Sequence, residues 1–450
     1  MNTLRIKLKQ HTPMIHFQHG QQEATVRASE IKPKLDRFVL TRLGNGDYQS
    51  GVALARERGW LVGRGDHPAL NYKIRIEARK VSFLSINERK KYEKKHEGKP
   101  FLEDKGTKYL ARRRKTDNKL IYDLSPYPLF FANMDADYTD SGEYRKFSFT
   151  SDPLNLVLVV LKDDLYTFLS NPDLLNDFFF QTNFGMRQSK GFGSFGIDPA
   201  DPNYRARRSR YWFEIDSGRW DDIEYINEEF KRVFEYIELF YKTLRGGVNL
   251  INGKRETLFY FKSLLYLFAN DRLNAKWDKR KIKEEFYGID VLEKDHTYDV
   301  RDMLGFSTNE QWLSYHDSIE KKSSVWDDSA HCFREPRGTE KPSAERMPSP
   351  ILIKPVYDEG RTKYFINILF QDDKVNMNGF KGVQQISIRS KNHNKVFGID
   401  IPQEFSTESF FHFIFEELHF DISTHVDECY HGHKYFHILE DIFSQINNNL

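Results

Sequence analysis

A chain of 450 residues exceeds one ordinary domain, so two domains with their own cores are expected. Charged residues at 30%, a mean hydropathy of −0.67 and apolar runs that stop at strand length, such as 154–161, indicate a soluble protein with no membrane-spanning segment. With Cys332 and Cys429 as the two cysteines, a disulfide framework is excluded and a reducing cytoplasm is the natural compartment.

The net charge of +2 hides local blocks of both signs. Residues 1–10 alternate apolar and polar side chains, as an edge strand does, and lack the apolar core of a secretory signal. Next comes a basic helix: Ser29 is the expected N-cap, Ile31, Leu35, Phe38 and Val39 share one face, and Pro33 falls in the first turn. Arg27, Lys32, Lys34 and Arg37 surround its start, a place suited to phosphate, although a solvated amphipathic helix would carry the same residues. Residues 71–79 read as a strand. From Glu88 to Lys119 the composition turns basic and poor in apolar residues, which predicts a flexible or ligand-ordered projection. Residues 147–150 and 154–161 read as strands, the second apolar on both faces and therefore central in its sheet. Residues 164–181 read as helical with a break at Asn171-Pro172.

The stretch Gly185-Met186-Arg187-Gln188-Ser189-Lys190-Gly191-Phe192-Gly193-Ser194-Phe195-Gly196 follows that helix. Its glycines permit positive φ and a close backbone approach, Arg187 and Lys190 supply cations, and Phe184, Phe192 and Phe195 supply flat rings, which together suit a nucleic-acid backbone. A dinucleotide fold would need a strand before the glycines and a helix after them, so that reading fails. An ordinary glycine-rich connection holding no ligand is the alternative. The loop leads towards the basic segment Arg205-Ala206-Arg207-Arg208-Ser209-Arg210 and a strand over 209–215. The order of the first half, β-α-β-(insert)-β-α-loop-β, is that of an elaborated ferredoxin-like sheet.

Residues 220–245 read as a helix closed by Gly246-Gly247, and 256–270 as a second helix burying Leu258, Phe261, Leu264, Leu265 and Phe268. Charged helices continue through Glu285, an irregular region begins at Arg301, and 321–350 reads as a long loop or linker. Strands at 349–354, 362–370 and 385–389 and helices at 407–418 and 435–446 close the chain. The expected organisation is α+β: a first domain over 1–218 with a basic insertion at 86–120, a helical region and linker over 219–345, and a smaller domain over 346–450.

Several short segments, in this order, carry a family likeness: Thr12-Pro13, the run from Arg27 through Lys32 and Lys34 to Arg37, Gly191-Phe192-Gly193-Ser194-Phe195-Gly196, Arg301-Asp302-Met303-Leu304-Gly305, and Arg346-Met347-Pro348-Ser349-Pro350-Ile351. Through them the chain resembles the RAMP superfamily of CRISPR effector subunits, and within it the subunit numbered one of the Cmr (type III-B) complex. Pro33 stands where that family usually has glycine, and the 88–119 projection does not align with the family's pattern. The resemblance implies two ferredoxin-like (RRM-like) domains in a non-catalytic subunit at one end of a ribonucleoprotein filament. Its implied partners are CRISPR guide RNA, target RNA or both, and other RAMP subunits, with no cofactor, small-molecule substrate or membrane. Such a protein touches phosphates with Lys and Arg and leaves sequence reading to base pairing. The expected RNA site is Arg27, Lys32, Lys34, Arg37, Arg187, Lys190, Gly191, Phe192, Gly193, Phe195 and Gly196, one phosphate track in which Phe192 or Phe195 supports a base.

Three rival readings stay beside it. A metal-independent ribonuclease would draw on His11, His16, His19 or Asp36 for acid-base chemistry. A zinc site would use Cys429, His431 and His433 with His425, residues that could equally cap the last helix. A protein scaffold would dock acidic partners, with residues 246–335 as a docking surface in either case.

Overall fold

The computed structural model describes residues 1–15, 25–63, 68–78, 82–85, 110–113, 120–123, 146–218, 223–252, 256–288, 297–306, 308–312, 315, 317–323, 325–327, 332–334, 349–371, 385–393, 395–402 and 405–450. Most of the expected basic projection, the 335–348 part of the expected linker, His16 and His19 lie outside them. The protein is a mixed α+β chain, and its contacts divide it into two units. The first comprises Met1–Ser209, Glu214–Glu238 and Ile353–Asn367; the second comprises Arg210–Phe213, Leu239–Leu352 and Ile368–Leu450.

The first unit is built on a four-stranded antiparallel sheet. Strand β1 (Asn2–Gln10) pairs with Phe195–Ile197 on one side and with Leu154–Val160 on the other, and Leu154–Val160 pairs in turn with Tyr72–Glu77. The continuous apolar run is thus an inner strand, with Leu154, Leu156, Val157, Leu158 and Val160 all buried. Helices α1 (Ala28–Leu43) and α2 (Tyr48–Glu57) connect β1 to the edge strand, while Asp163–Leu169 and Pro172–Phe180 lead from the inner strand to Phe195–Ile197. The break between those two helices has the expected cause: Pro172 opens the second helix and the Asn171 side chain accepts the Asp173 amide. α1 buries Ile31, Leu35, Val39 and Leu40 in one core with Ile6, Leu8, Leu156 and Leu158.

Two local expectations are corrected. α1 begins two residues earlier than a Ser29 cap requires: Arg27 is the N-cap, without a side-chain hydrogen bond, and the Glu30 amide donates to its carbonyl. Pro33 lies in the second turn rather than the first, yet the helix runs on to Leu43, because the buried apolar face holds it across the missing N–H.

The second unit carries a six-stranded sheet in the order Lys276–Trp277, Thr297–Tyr298, Val396–Asp400, Gln385–Ser390, Asp317–Ser323, Asn309–Trp312. Residues 256–270, expected as one helix, split into a strand and a helix. Thr257–Phe261 pairs with Val248–Ile251, and only Leu264–Asp271 is helical. The period decides it: Phe259 and Phe261 are buried while Leu258 and Tyr260 are exposed, an alternation of two. Lys321, expected in a linker, is in the strand Asp317–Ser323.

Under this sheet lies a buried ionic network. Lys321 Nζ contacts Asp302 at 2.8 Å and Asp299 at 3.4 Å, Arg301 holds Asp278 and Glu310 at 2.6 Å each, and Arg245 reaches Asp302 at 3.2 Å. Desolvation pushes the Glu310 carboxyl up, but Arg301 and then Lys321 overcome it and hold the group well below its usual range. Asp299 is driven the other way, upward by burial and then by Asp302, whereas Asp302 is held below its usual value, against burial, by Lys321, Arg245 and Arg301. The family-like Arg301-Asp302 pair therefore sits at the centre of a structural ion cluster.

Candidate nucleic-acid interface

The two segments singled out by the sequence meet in the first unit. Lys34, on α1, donates to the Asn183 carbonyl at 2.8 Å and to Gln188 Oε1 at 2.6 Å, and Glu30, one turn earlier, accepts the Gly185 amide. Lys34 also lies 5.1 Å from the Phe184 ring centre. Burial, opposed by Glu30, pulls the Lys34 ammonium down to about 8. The helical period places Arg27 and Arg37 on the Lys34 side of α1, and across that junction the loop turns at Arg187, whose φ of 59° is left-handed, into the short helix carrying Lys190.

Lys32 does not join them. Two helical positions separate it from Lys34, about 200° around the axis. Its ammonium binds Asp36 at 2.8 Å and the Leu70 carbonyl at 2.9 Å over the Tyr72 ring. A single track through Lys32 and Lys34 is corrected on that ground.

The glycines and rings after Lys190 are corrected as well. Phe192 and Phe195 are each 0% exposed, Phe192 stacks on Phe234 at 4.0 Å between centres, and Phe195 packs edge-on to Phe184. Rings held on both sides by protein offer no face to a base. Gly193, at φ 64°, has no room for a side chain: a Cβ would stand 1.8 Å from the Phe184 carbonyl oxygen. At Gly191 the obstruction is Pro355, 2.9 Å away, and at Gly196 it is His11 Nε2 at 2.8 Å. These glycines bring the chain close to its own core rather than to a ligand.

The basic segment beyond the loop builds a site that motif reading passed over. Asn176 Oδ1 accepts the Arg205 amide, and Arg207 is clamped by Asp177 at 2.6 Å and Asp173 at 2.5 Å, so the segment is nailed to the helix Pro172–Phe180. Arg205 and Arg208 are exposed, and the Arg208 guanidinium carbon stands over the Phe365 ring, 3.3 Å from its centre. Between this segment and residues 353–365 is an open cavity of about 320 Å³. His11 and Lys354 stand in its wall, both almost wholly buried. His11 Nδ1 accepts the Tyr357 amide at 3.1 Å, which places the ring proton on Nε2. Burial, then Lys354 and Lys9, lower its pKa well below the usual value, so His11 is a neutral donor at neutral pH. Lys354 gives its three N–H groups to Thr182 O, Asn183 Oδ1 and Phe195 O within 3.1 Å, which makes it the clasp of the glycine loop.

The rival chemistries fare as follows. His11 has its acceptor nitrogen engaged and its pKa too low for a general acid at neutral pH, and Asp36 is buried against Lys32 and the Leu70 amide. His433 caps the last helix through the Tyr435 amide, while the Nε2 atoms of His425 and His431 face the Lys262 and Val426 carbonyls. Among the described residues no helix is long and apolar enough to cross a membrane, and no group of three His, Cys, Asp or Glu stands together to hold a metal.

Comparison with known proteins adds the following. The crystal structure of Cmr1 from Pyrococcus furiosus in its apo form is similar at 10% identity, covering 87% of this chain and 98% of that one, with a TM-score of 0.35. A chain of the cryo-EM structure of the type III-B Cmr-beta complex bound to cognate target RNA and AMPPnP is similar at 11% identity, covering 84% and 97%, with a TM-score of 0.25. No curated protein sequence matches significantly. Family models match nearly end to end, the Cmr1 N-terminal domain over residues 1–248 and the Cmr1 C-terminal domain over residues 260–443. The chain therefore belongs to the Cmr1 family, RAMP proteins of the type III-B CRISPR system.

Proposed function

We propose that the protein is an RNA-binding structural subunit of a type III-B CRISPR effector complex, contacting guide or target RNA and neighbouring RAMP subunits in the cytoplasm. The observation that carries this reading is the junction of α1 with the turn before Gly191. Two basic segments more than a hundred residues apart are fastened by Lys34 and Glu30, which sets the helix that carries Arg27 and Arg37 against the turn that carries Arg187 and Lys190. Cations converging from separate elements suit a phosphate backbone held without chemistry. The sheet order supports the RAMP reading. Taken along the chain as strands one to four, the first unit is β-α-β-β-α-β with spatial order 4-1-3-2, which we read as a ferredoxin-like, RRM-like domain.

The test is electrophoretic binding of single-stranded RNA to the full chain with Arg27, Arg187 and Lys190 replaced together by Gln. Affinity should fall at least tenfold with the melting temperature unchanged; equal binding overturns the track. Sequencing of RNA that co-purifies with the chain from a host carrying a CRISPR array tests the partner: guide sequences support membership of the complex, and cellular RNA without array sequences contradicts it.

A further inference from the structure

We propose that the hairpin formed by Val248–Ile251 and Thr257–Phe261 in the second unit is a docking face for an amphipathic helix with acidic flanks, carried by another protein subunit. The inference rests on the reading of the chain as part of an assembly and concerns a surface apart from the RNA track. Of the large apolar side chains left exposed among the described residues, three stand on this one hairpin: Ile251 at 45%, Leu258 at 44% and Tyr260 at 45%. Strand alternation sets Leu258 and Tyr260 opposite the buried Phe259 and Phe261, and Asn249, the cross-strand partner of Tyr260, shares their side with Ile251. The buried side is fixed. Phe259 stacks on His433 with 5.1 Å between ring centres, Phe261 lies parallel to Phe443 at 6.1 Å, and His425 Nε2 stands 2.7 Å from the Lys262 carbonyl oxygen. A strand pair held on one side and apolar on the other is a preorganised surface for a partner.

Charge selects the partner. Lys262, which continues the alternation on the exposed side, has its Nζ 3.9 Å from the Tyr266 ring centre, and the Arg280 guanidinium is 5.7 Å from the same centre. No carboxylate pairs with either cation among the described residues, and the hairpin's own Glu256 lies at the turn end, held by Asn252 at 2.6 Å. The apolar groups project from the sheet face, and sheet faces are closed by helices. Five strand residues extend about 17 Å, the length of about 11 helical residues. Three turns with an apolar stripe would cover Ile251, Leu258 and Tyr260, and aspartate or glutamate beside the stripe would meet Lys262 and Arg280. A phosphate backbone would gain nothing from Ile251 and Leu258.

The test replaces Tyr260 of the full chain by the photo-crosslinking residue benzoylphenylalanine, one ring for another on the exposed side, and isolates the chain with its assembly from a host carrying a CRISPR array. Crosslinks mapped to a helix of another subunit, with an apolar stripe flanked by Asp or Glu, support the proposal. Crosslinks to RNA, to a second copy of this chain or to a segment without those features overturn it, as does an isolated assembly with no crosslink at all; each of these leaves the subunit reading intact. A chain that joins no assembly overturns both. Leu258→Ser with Tyr260→Ser should cut recovery of the crosslinked subunit at least tenfold, and Lys262→Glu with Arg280→Glu should do the same, while the melting temperature and RNA affinity of the isolated chain stay unchanged. Unchanged recovery with either pair contradicts the docking face.

Discussion

Both units of this protein concentrate arginine and lysine, and they use them in opposite ways. In the second unit, Arg245, Arg301 and Lys321 are set against Asp278, Asp299, Asp302 and Glu310 at ion-pair distance, with Arg301 and Lys321 almost wholly buried. In the first, Arg205 and Arg208 are exposed and Arg361 faces a cavity whose lining holds a single carboxylate. The difference lies in the partners each cation has, not in the number of cations. A buried charge surrounded by counter-charges acts on stability, whereas a cation exposed at the surface stays within reach of an outside anion.

The comparison breaks most severely in the second unit. Arg301→Met leaves the buried Asp278 and the half-buried Glu310 without their guanidinium and should cost about 3–5 kcal/mol in urea unfolding, with RNA affinity at low temperature unchanged. Phe192→Ala should cost a similar amount, about 3–5 kcal/mol, since Phe192 packs against Phe234 in the core; a large loss of RNA affinity at full stability would instead restore a stacking role to that ring. Acid should act on the second unit. Glu310 and Asp302 titrate below their unfolded values of 4.5 and 3.8, so their contribution is complete above those values and lost as pH falls through the folded ones, offset in part by Asp299, whose shift has the opposite sign. Circular dichroism from pH 5 to 2 should show the loss. The smallest effect is alkaline and belongs to the first unit. The folded Lys34 releases its proton near 8 and the unfolded chain holds it to 10.5, so between those values the unfolded state binds more protons and stability rises with pH. Lys34→Met should flatten that rise.

The sequence made the first unit's topology legible because its signals were local and periodic: the alternation of β1, the continuous apolar run at 154–160 and the Asn171-Pro172 break each have a short-range cause. It also indicated correctly that α1 and the glycine loop are neighbours. The roles of individual residues were not legible. Gly191, Gly193 and Gly196 look alike whether a ligand or the protein's own Pro355, Phe184 and His11 occupies the adjacent space, and only coordinates tell which. Lys32 and Lys34 look like one patch in sequence, but the helix turns them to different partners. His11 carries no local signal at all, because the Tyr357 amide that sets its tautomer is 346 residues away. The clearest missed clue was the run Arg205-Ala206-Arg207-Arg208, whose clamps, Asp173 and Asp177, lie four residues apart on one face of the preceding helix.

The salt dependence of single-stranded RNA binding to the full chain tests most directly whether the cations of the α1 junction hold the phosphate backbone. Replacing Arg27, Arg187 and Lys190 together by Gln should reduce the slope of log affinity against log salt by about 2, at roughly 0.7 per phosphate contact, with the melting temperature preserved. An unchanged slope would contradict the account.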